Sequence, residues 1–173
     1  MNSTLLGAVA VLVTSAVAAQ IPPRTAVDIS AEQIQAAVKA TEAATVSDQS
    51  IRMVDIGTYN VGVGVVHRSP GTQGAIEHSK ITEVYHMIAG AAVLVTGGTI
   101  PDAKPSAPDG QVVQVLNGPS NQGAKIDGGT SRRIKAGDVV IIPPNTPHWW
   151  SSLEGQIVYL VVRVDPEKVV QRK

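Results

Sequence analysis

The segment Gly137-Asp-Val-Val-Ile-Ile-Pro-Pro-Asn-Thr-Pro-His-Trp-Trp150 joins a short apolar run to a proline-rich corner. The two prolines that follow the run lack the N–H groups that a sheet ladder needs, so a strand is expected to end there. Asn145 tolerates the backbone conformations of the turn that must follow. His148 then enters the next strand from a rigid corner, and an imidazole held in this way suits a metal ion.

The spacing within this segment is glycine, five residues, proline, one residue, Asn145, two residues and His148. An upstream segment, Ile76-Glu-His-Ser-Lys-Ile-Thr-Glu-Val-Tyr-His-Met-Ile-Ala-Gly90, contains His78, four residues, Glu83, six residues and a glycine. In spacing and order the two segments resemble the two motifs of the cupins. They depart from the family pattern twice, because Asn145 stands in place of a glycine and Ile76 in place of the first histidine.

The resemblance spans roughly residues 60–165 and implies an all-β fold, the double-stranded β-helix barrel of the cupins, here with a short N-terminal helix. It also implies that His78, Glu83 and His148 bind one divalent transition metal and are the catalytic residues. Two imidazole nitrogens and one carboxylate oxygen leave positions open for water, substrate or dioxygen, and iron, manganese, nickel, cobalt and zinc all accept them. Ile76 cannot ligate, so the position of the first histidine is either open or filled by another group.

Each of the three residues also has a structural explanation. His78 can be an exposed loop histidine, Glu83 a solvated charge on a half-exposed strand, and His148 a packed core imidazole. Their joint match to the two motifs favours the metal site over these separate explanations.

The other two histidines are not expected to join the site. Strand alternation sends Glu83, Tyr85 and Met87 inward and His86 outward, where it would be a structural or interface residue unless a bulge makes it a ligand. His67 shares a face with three valines of its strand and could reach the barrel interior. A core histidine is favoured there over a fourth ligand.

Five side chains are candidates for substrate contacts around the metal. They are Tyr85, Met87, Trp150, Tyr159 and Arg163. Trp150 shares the strand parity of His148, and Arg163 can bind an acidic substrate group. The alternatives are core packing for the first four residues and a surface position for the arginine.

The composition is that of one β-rich domain of 173 residues without disulfides. Hydrophobic residues make up 43% of the chain, phenylalanine is absent, and Val and Ile dominate, which suits strands. Lys plus Arg is 14 and Asp plus Glu is 14, so no net field attracts nucleic acid. The chain has no cysteine, and packing alone must stabilise the fold.

Residues 1–19 are predicted to be a signal peptide. The run from Leu5 to Ala19 is uncharged, shorter than a comfortable membrane span, and ends in small residues typical of a signal-peptidase site. The mature protein is therefore expected to be secreted, periplasmic or within the secretory pathway, without stable membrane insertion. A buried N-terminal helix or a membrane anchor is the alternative.

The rest of the chain is predicted to divide into an N-terminal segment, residues 20–50, and the barrel domain, residues 51–173. Ser30-Ala-Glu-Gln33 is a capping box that opens a helix to about Thr45, expected to lie against the outside of the barrel. Alternation and turn residues predict strands and two long loops. The strands are 60–68, 84–88, 91–96, 111–116, 131–135, 139–142 and 157–164, and the loops are 101–110 and 117–130.

The function expected from this reading is a metal-dependent enzyme that acts on a small organic molecule. Oxygenase-type chemistry is favoured, because the inward positions offer no obvious general base other than metal-bound water, His67 or Tyr159. A non-oxidative lyase, decarboxylase or isomerase is the first alternative. A non-catalytic metal-binding or ligand-binding cupin, which the missing first histidine favours, is the second, and a secreted interaction protein the third. The resemblance implies a homodimer.

Overall fold

The structure is a computed structural model that describes residues 25–42, 46–71 and 73–171. The predicted signal peptide, residues 1–19, lies outside the described residues. Among the residues described, no helix is both long enough and apolar enough to cross a membrane.

Helix α1, Ala31–Thr41, begins at the predicted capping box. The hydroxyl of Ser30 accepts a hydrogen bond from the Gln33 amide at 3.3 Å, and the Gln33 side chain accepts one from the Ser30 amide at 2.9 Å. The helix ends at Thr41, earlier than the predicted end at Thr45, and residues 43–45 are outside the described part of the chain.

The described strands form two antiparallel sheets. They are β1 Val46–Asp55, β2 Asn60–Arg68, β3 Ala75–His78, β4 Thr82–Ala89, β5 Ala91–Thr96, β6 Lys104–Pro105, β7 Ser120–Gly123, β8 Thr130–Lys135, β9 Val139–Ile142, β10 His148–Leu153 and β11 Ile157–Asp165. One sheet has the order β1-β2-β11-β4-β9 and the other the order β6-β7-β3-β10-β5-β8. The prediction of an all-β barrel with a short N-terminal helix is confirmed.

The main core lies between the two sheets. It is built from inward-facing side chains of both, which is what strand alternation requires of two packed sheets. Its members are Val66, Tyr85, Met87, Ala92, Leu94, Ile134, Val140, Ile142, Trp150, Ile157, Tyr159 and Val161. Two of its members, Tyr85 on β4 and Trp150 on β10, lie near the start of their strands.

Helix α1 covers the outer face of the five-stranded sheet, as predicted. Ala37 packs there against Val65 and Val158. His67 does not reach the barrel interior, which was one possibility for it, but the ring is buried, as the favoured assignment as a core histidine predicts. Alternation separates the two faces of β2, and the neighbouring Val66 is the residue that points into the core.

Two expectations about strands and loops are wrong. Most of residues 111–116, predicted as a strand, belongs instead to a π-helix, Val112–Asn117, whose N-cap is Gln111. The predicted loop 117–130 contains β7, which pairs with β3. The β-branched run in 111–116 has high strand propensity, but tertiary contacts override propensity over so short a segment.

The two motif segments meet at the end of β3. Asn145 has φ 57°, the left-handed conformation that its place in a glycine position predicts. Its amide donates to the carbonyl oxygen of His78 at 2.8 Å. Gly90, the last motif position, has φ 81°, and a Cβ there would collide with the carbonyl oxygen of Gln156. Both motifs therefore contribute turns that bring the predicted ligands together.

Candidate metal centre

Three buried side chains from two motifs converge inside the barrel. His78 ends β3, Glu83 is the second residue of β4, and His148 begins β10. Glu83 Oε2 lies 3.4 Å from His78 Nε2 and 3.5 Å from His148 Nε2. One ligand atom from each residue lies within 4.8 Å of the others, an arrangement that can hold a metal ion. The structure thus brings together the three predicted ligands.

The position of His148 follows from its corner. The strand before it ends at the two prolines, and its own ring Nδ1 lies 3.0 Å from the carbonyl oxygen of Thr146, which leaves Nε2 facing Glu83. In the pairing of β10 with β3, His148 stands directly opposite Ile76. Ile76 and His78 are two residues apart on one strand and share a face. The residue in the place of the family's first histidine therefore lies beside the site and offers it no donor.

The Glu83 carboxylate is held from both sides. Arg163 Nε donates to Oε1 at 2.9 Å, and the Tyr85 hydroxyl donates to Oε2 at 2.6 Å. Arg163 is held in turn by Asp48, to which it donates from Nη1 at 3.1 Å and also from Nη2. Oxygen Oε2 of Glu83 is therefore the one directed at both histidines. The bidentate pair with Asp48 fixes the orientation of the Arg163 guanidinium that binds Oε1.

Burial alone raises the pKa of the Glu83 carboxyl. The attraction of the His78 ring and of the Arg163 guanidinium outweighs burial and holds that pKa well below its usual range. Burial, together with the negative charge of Glu83, raises the pKa of Tyr85 well above its usual value. The carboxylate is thus charged at neutral pH while its tyrosine neighbour remains a phenol and a hydrogen-bond donor.

Both imidazoles are presented in forms that suit metal binding. Burial, with the nearby His78 ring, lowers the pKa of His148 to about 4, so this ring is neutral at pH 7. His78 Nδ1 lies 2.9 Å from Ser120 Oγ, which donates its own hydrogen to the Gly118 carbonyl at 2.9 Å. Since that hydroxyl must accept from His78, Nδ1 carries a proton, and Nε2 is the ring nitrogen left to bind a metal.

The donor set fits a divalent transition metal. Bonds of about 2.1 Å at octahedral or tetrahedral angles separate neighbouring ligand atoms by about 3.0–3.4 Å. The two nitrogen–oxygen distances at Glu83 Oε2, 3.4 and 3.5 Å, are close to this range. A further buried acceptor, Asn117 Oδ1, has no hydrogen-bond partner among the described residues, although its amide group touches His78.

The predicted substrate residues occupy three kinds of position. Tyr85 lies at the site, and its ring stacks on Trp150 with centroids 6.2 Å apart and contacts Tyr159 at 4.5 Å. Met87 is buried in the main core. Arg163 is neither at the surface nor free for a substrate, because it pairs with Glu83 and Asp48.

The remaining histidines lie apart from the ligands. His86 is exposed, so strand alternation predicts its direction correctly. His67 is buried beneath helix α1, and its Nδ1 lies 2.8 Å from the carbonyl oxygen of Thr41. Neither ring belongs to the candidate metal group.

Three residues of the site were not predicted. They are Asp48, Asn117 and Ser120. Asp48 precedes the predicted start of the barrel, and the other two lie in the segment 117–130 that was predicted to be a loop. A polar Asn-Gly-Pro-Ser turn is a visible sequence signal, but nothing in it indicates which part of the barrel it contacts.

No protein-family model matches the chain, and no curated protein does. The chain is similar to the solved structure of a Cupin 2 conserved barrel domain protein from Salinispora arenicola, at 17% identity, 68% and 74% coverage of the two chains and a TM-score of 0.42. DMSP lyase DddQ from Ruegeria pomeroyi is 16% identical, with 75% of this chain and 51% of the lyase covered and a TM-score of 0.46. The Schizosaccharomyces pombe Cnp3 cupin domain is 12% identical, with 70% of this chain and 66% of that domain covered and a TM-score of 0.43.

The chain spans only about half of the lyase, with 51% covered. These likenesses are partial and concern the fold only. The sheet topology and the convergence of the two motif segments are features of this chain itself. On these two features, the chain has the cupin fold.

Proposed function

We propose that the protein is a metal-dependent enzyme that acts on a small organic molecule by oxygenase-type chemistry. The observation that carries the proposal is the buried His78, Glu83 and His148 group, whose nitrogen and oxygen atoms converge within 4.8 Å. When bound there, a divalent metal supplies a Lewis-acidic centre with open positions that polarises a substrate or activates dioxygen.

The chain's own residues have separable roles in this proposal. Both imidazoles and Oε2 of Glu83 hold the ion, while Arg163 and Tyr85 fix the carboxylate orientation. Trp150 and Tyr159 pack against Tyr85 and form an apolar wall. Such a wall excludes water and strengthens the electrostatic interactions within the site.

The preference for oxygenase-type chemistry comes from the scarcity of bases. His67 and Tyr159 are the two side chains expected as possible general bases. His67 faces helix α1, and the Tyr159 hydroxyl accepts a hydrogen bond from Arg68 at 3.1 Å. With both engaged elsewhere, proton abstraction by the protein is disfavoured, and chemistry centred on the metal is favoured.

Tyr85 supports a second candidate, a non-oxidative lyase, decarboxylase or isomerase. Its hydroxyl lies 2.6 Å from Glu83 Oε2, next to where a substrate would meet the metal. Its raised pKa keeps the hydroxyl protonated at neutral pH, so it cannot act as a base, and a reaction of this class needs a protonated group near the carbanion or leaving group.

Two measurements on the same preparations separate the candidates. Protein loaded in turn with Fe²⁺, Mn²⁺, Ni²⁺, Co²⁺ or Zn²⁺ is screened against phenols and small organic acids in an oxygen electrode, then without oxygen. We expect oxygen uptake that matches substrate loss and disappears in His148→Ala. Turnover that persists without oxygen would favour the non-oxidative candidate, and full metal occupancy without turnover would favour a binding protein.

The location and assembly of the protein are proposals as well. We expect export with cleavage near Ala19 or Gln20, so secreted protein whose N-terminal sequence still contains residues 5–18 would contradict it. A homodimer is expected from the family resemblance, and its mass in solution tests it. A small-molecule substrate is the expected partner, and nucleic acid is not.

A further inference from the structure

We propose that Asn117 is a fourth metal ligand through its side-chain amide oxygen. It would supply the donor that Ile76 cannot, from a different element of the fold. The inference rests on the metal centre of the proposed function, but it can fail while that centre stands.

The Asn117 amide lies against a ligand. Asn117 is only 9% exposed, and its Nδ2 is 2.8 Å from Nε2 of His78, the nitrogen that also faces Glu83 Oε2. The other atom of the amide, Oδ1, is buried and has no hydrogen-bond partner among the residues that the structure describes. A buried carbonyl oxygen without a hydrogen-bond partner destabilises the folded protein.

The lone pair on His78 Nε2 determines which way the amide faces. Ser120 fixes the proton on Nδ1, so Nε2 accepts a hydrogen bond from Nδ2 of Asn117 when no cation is between them. A half-turn of the amide exchanges its nitrogen and oxygen with little change of shape. Oxygen and Nε2 would then present lone pairs to each other, which is favourable only with a cation between them.

The backbone of this segment is shaped to deliver the amide. Asn117 is the last residue of the π-helix, an uncommon structure that is frequent at functional sites. Gly118 follows with φ 65°, and a Cβ there would lie 2.6 Å from a methyl group of Val169. Beyond it, the carbonyl of Pro119 accepts from the Ser79 amide at 2.9 Å. Asn117 is thus tied to the strand end that carries His78.

Ile76 stands where the family's first histidine would ligate the metal, so a fourth ligand must come from another residue. It lies on the His78 face of β3 and directly opposite His148, where a histidine would reach the ion. Its side chain offers no lone pair. An amide oxygen is a neutral donor, as an imidazole is, so Asn117 would restore the number of donors and the net charge of a three-nitrogen, one-carboxylate set.

The test measures binding of Co²⁺ alone, by chelator competition and by the visible absorption of the bound ion, which reports its coordination. Asn117→Leu keeps the approximate size and removes the oxygen, and Asn117→Ala removes it without adding bulk. Asn117→Asp keeps an oxygen in place. Asn60→Leu is the matched control, because Asn60 is buried at 3% exposure, also has an Oδ1 without a partner, and lies outside the ligand group.

We expect Asn117→Leu and Asn117→Ala to bind Co²⁺ at least about tenfold more weakly, with a changed absorption spectrum. Asn117→Asp should bind at least as tightly as wild type, and Asn60→Leu should match wild type in both measurements. Circular dichroism checks folding, and if the leucine variant does not fold, the alanine variant decides.

Tighter rather than weaker binding of Co²⁺ by the Asn117 variants would overturn the inference. If Asn117 only donates to His78 Nε2, that bond competes with the metal, and Asn117→Ala binds Co²⁺ more tightly with an unchanged spectrum. Equal affinity in Asn117→Ala and wild type also overturns it while leaving the metal centre intact. A wild-type protein that binds no Co²⁺ overturns both the inference and the proposed metal centre.

Discussion

Two buried histidine environments of this barrel differ in what surrounds the ring. His67 is 1% exposed and His148 is 4% exposed, and the Nδ1 of each lies beside a backbone carbonyl, at 2.8 and 3.0 Å. On the far side of the ring, Nε2 of His67 has no partner among the described residues, whereas Nε2 of His148 faces Glu83 and a second imidazole. Burial and a backbone contact are therefore shared, and convergence with a carboxylate and another imidazole is what makes the His148 environment a candidate metal site.

The largest effect on stability is expected at the ion pair of Glu83 with Arg163, because the ligand group contains a buried charge and the surroundings of His67 do not. Arg163→Met leaves the Glu83 carboxylate buried at 1% exposure without its cation. Breaking such a buried pair from one side costs about 3–5 kcal/mol, and added metal should restore part of the loss. Denaturant unfolding with and without metal measures both quantities. A loss below about 1 kcal/mol would show that Glu83 is compensated by other groups.

Glu83→Gln tests how far the carboxylate itself distinguishes the two environments. The variant should bind metal more weakly than wild type but more tightly than His78→Ala or His148→Ala, because an amide oxygen can still ligate. Chelator competition ranks the four proteins. Unchanged affinity in Glu83→Gln, or a loss as complete as in the histidine variants, would contradict the assigned role of Oε2.

His67→Gln probes the other environment. Losing the contact of Nδ1 with the Thr41 carbonyl should lower the free energy of unfolding by about 1–3 kcal/mol. Metal content should stay at the wild-type level, because the ring faces helix α1. A fall in metal content comparable to that in His148→Ala would show that the two faces of β2 are wrongly assigned.

The smallest effect is expected at His86, which is exposed on β4. His86→Gln should change the free energy of unfolding by less than about 0.5 kcal/mol and leave metal content unchanged. Measurements of melting temperature and metal content check both. Loss of metal in His86→Gln would contradict the assignment of Glu83, Tyr85 and Met87 to the inward face of β4.

Local patterns predict much of this fold. Alternation from Glu83 places Tyr85 and Met87 inward and His86 outward, and the capping box at Ser30 locates the start of the helix. The three ligands were predicted through the resemblance of two segments to the cupin motifs. Alternation defines two faces of a strand without saying which is interior, and for this reason it left open whether His67 reaches the barrel interior or lies beneath helix α1.

The parts that were not predicted depend on distant contacts. Residues 112–116 have strand propensity, and only their place in the complete fold makes them part of a π-helix. Asn117 reaches His78 across 39 positions, and Arg163 reaches Asp48 across 115. No local pattern encodes such pairs, so the groups that orient Glu83 and contact His78 become visible only in the structure.

Metal analysis of three purified proteins after metal-replete expression tests the central claim most directly. They are wild type, His148→Ala and, as a buried-histidine control, His67→Gln. Wild type and His67→Gln should each carry about one divalent metal ion per chain, and His148→Ala should carry almost none, because the site then loses one of its two imidazole donors. Full occupancy in His148→Ala, or no metal in wild type, would contradict the account of this site.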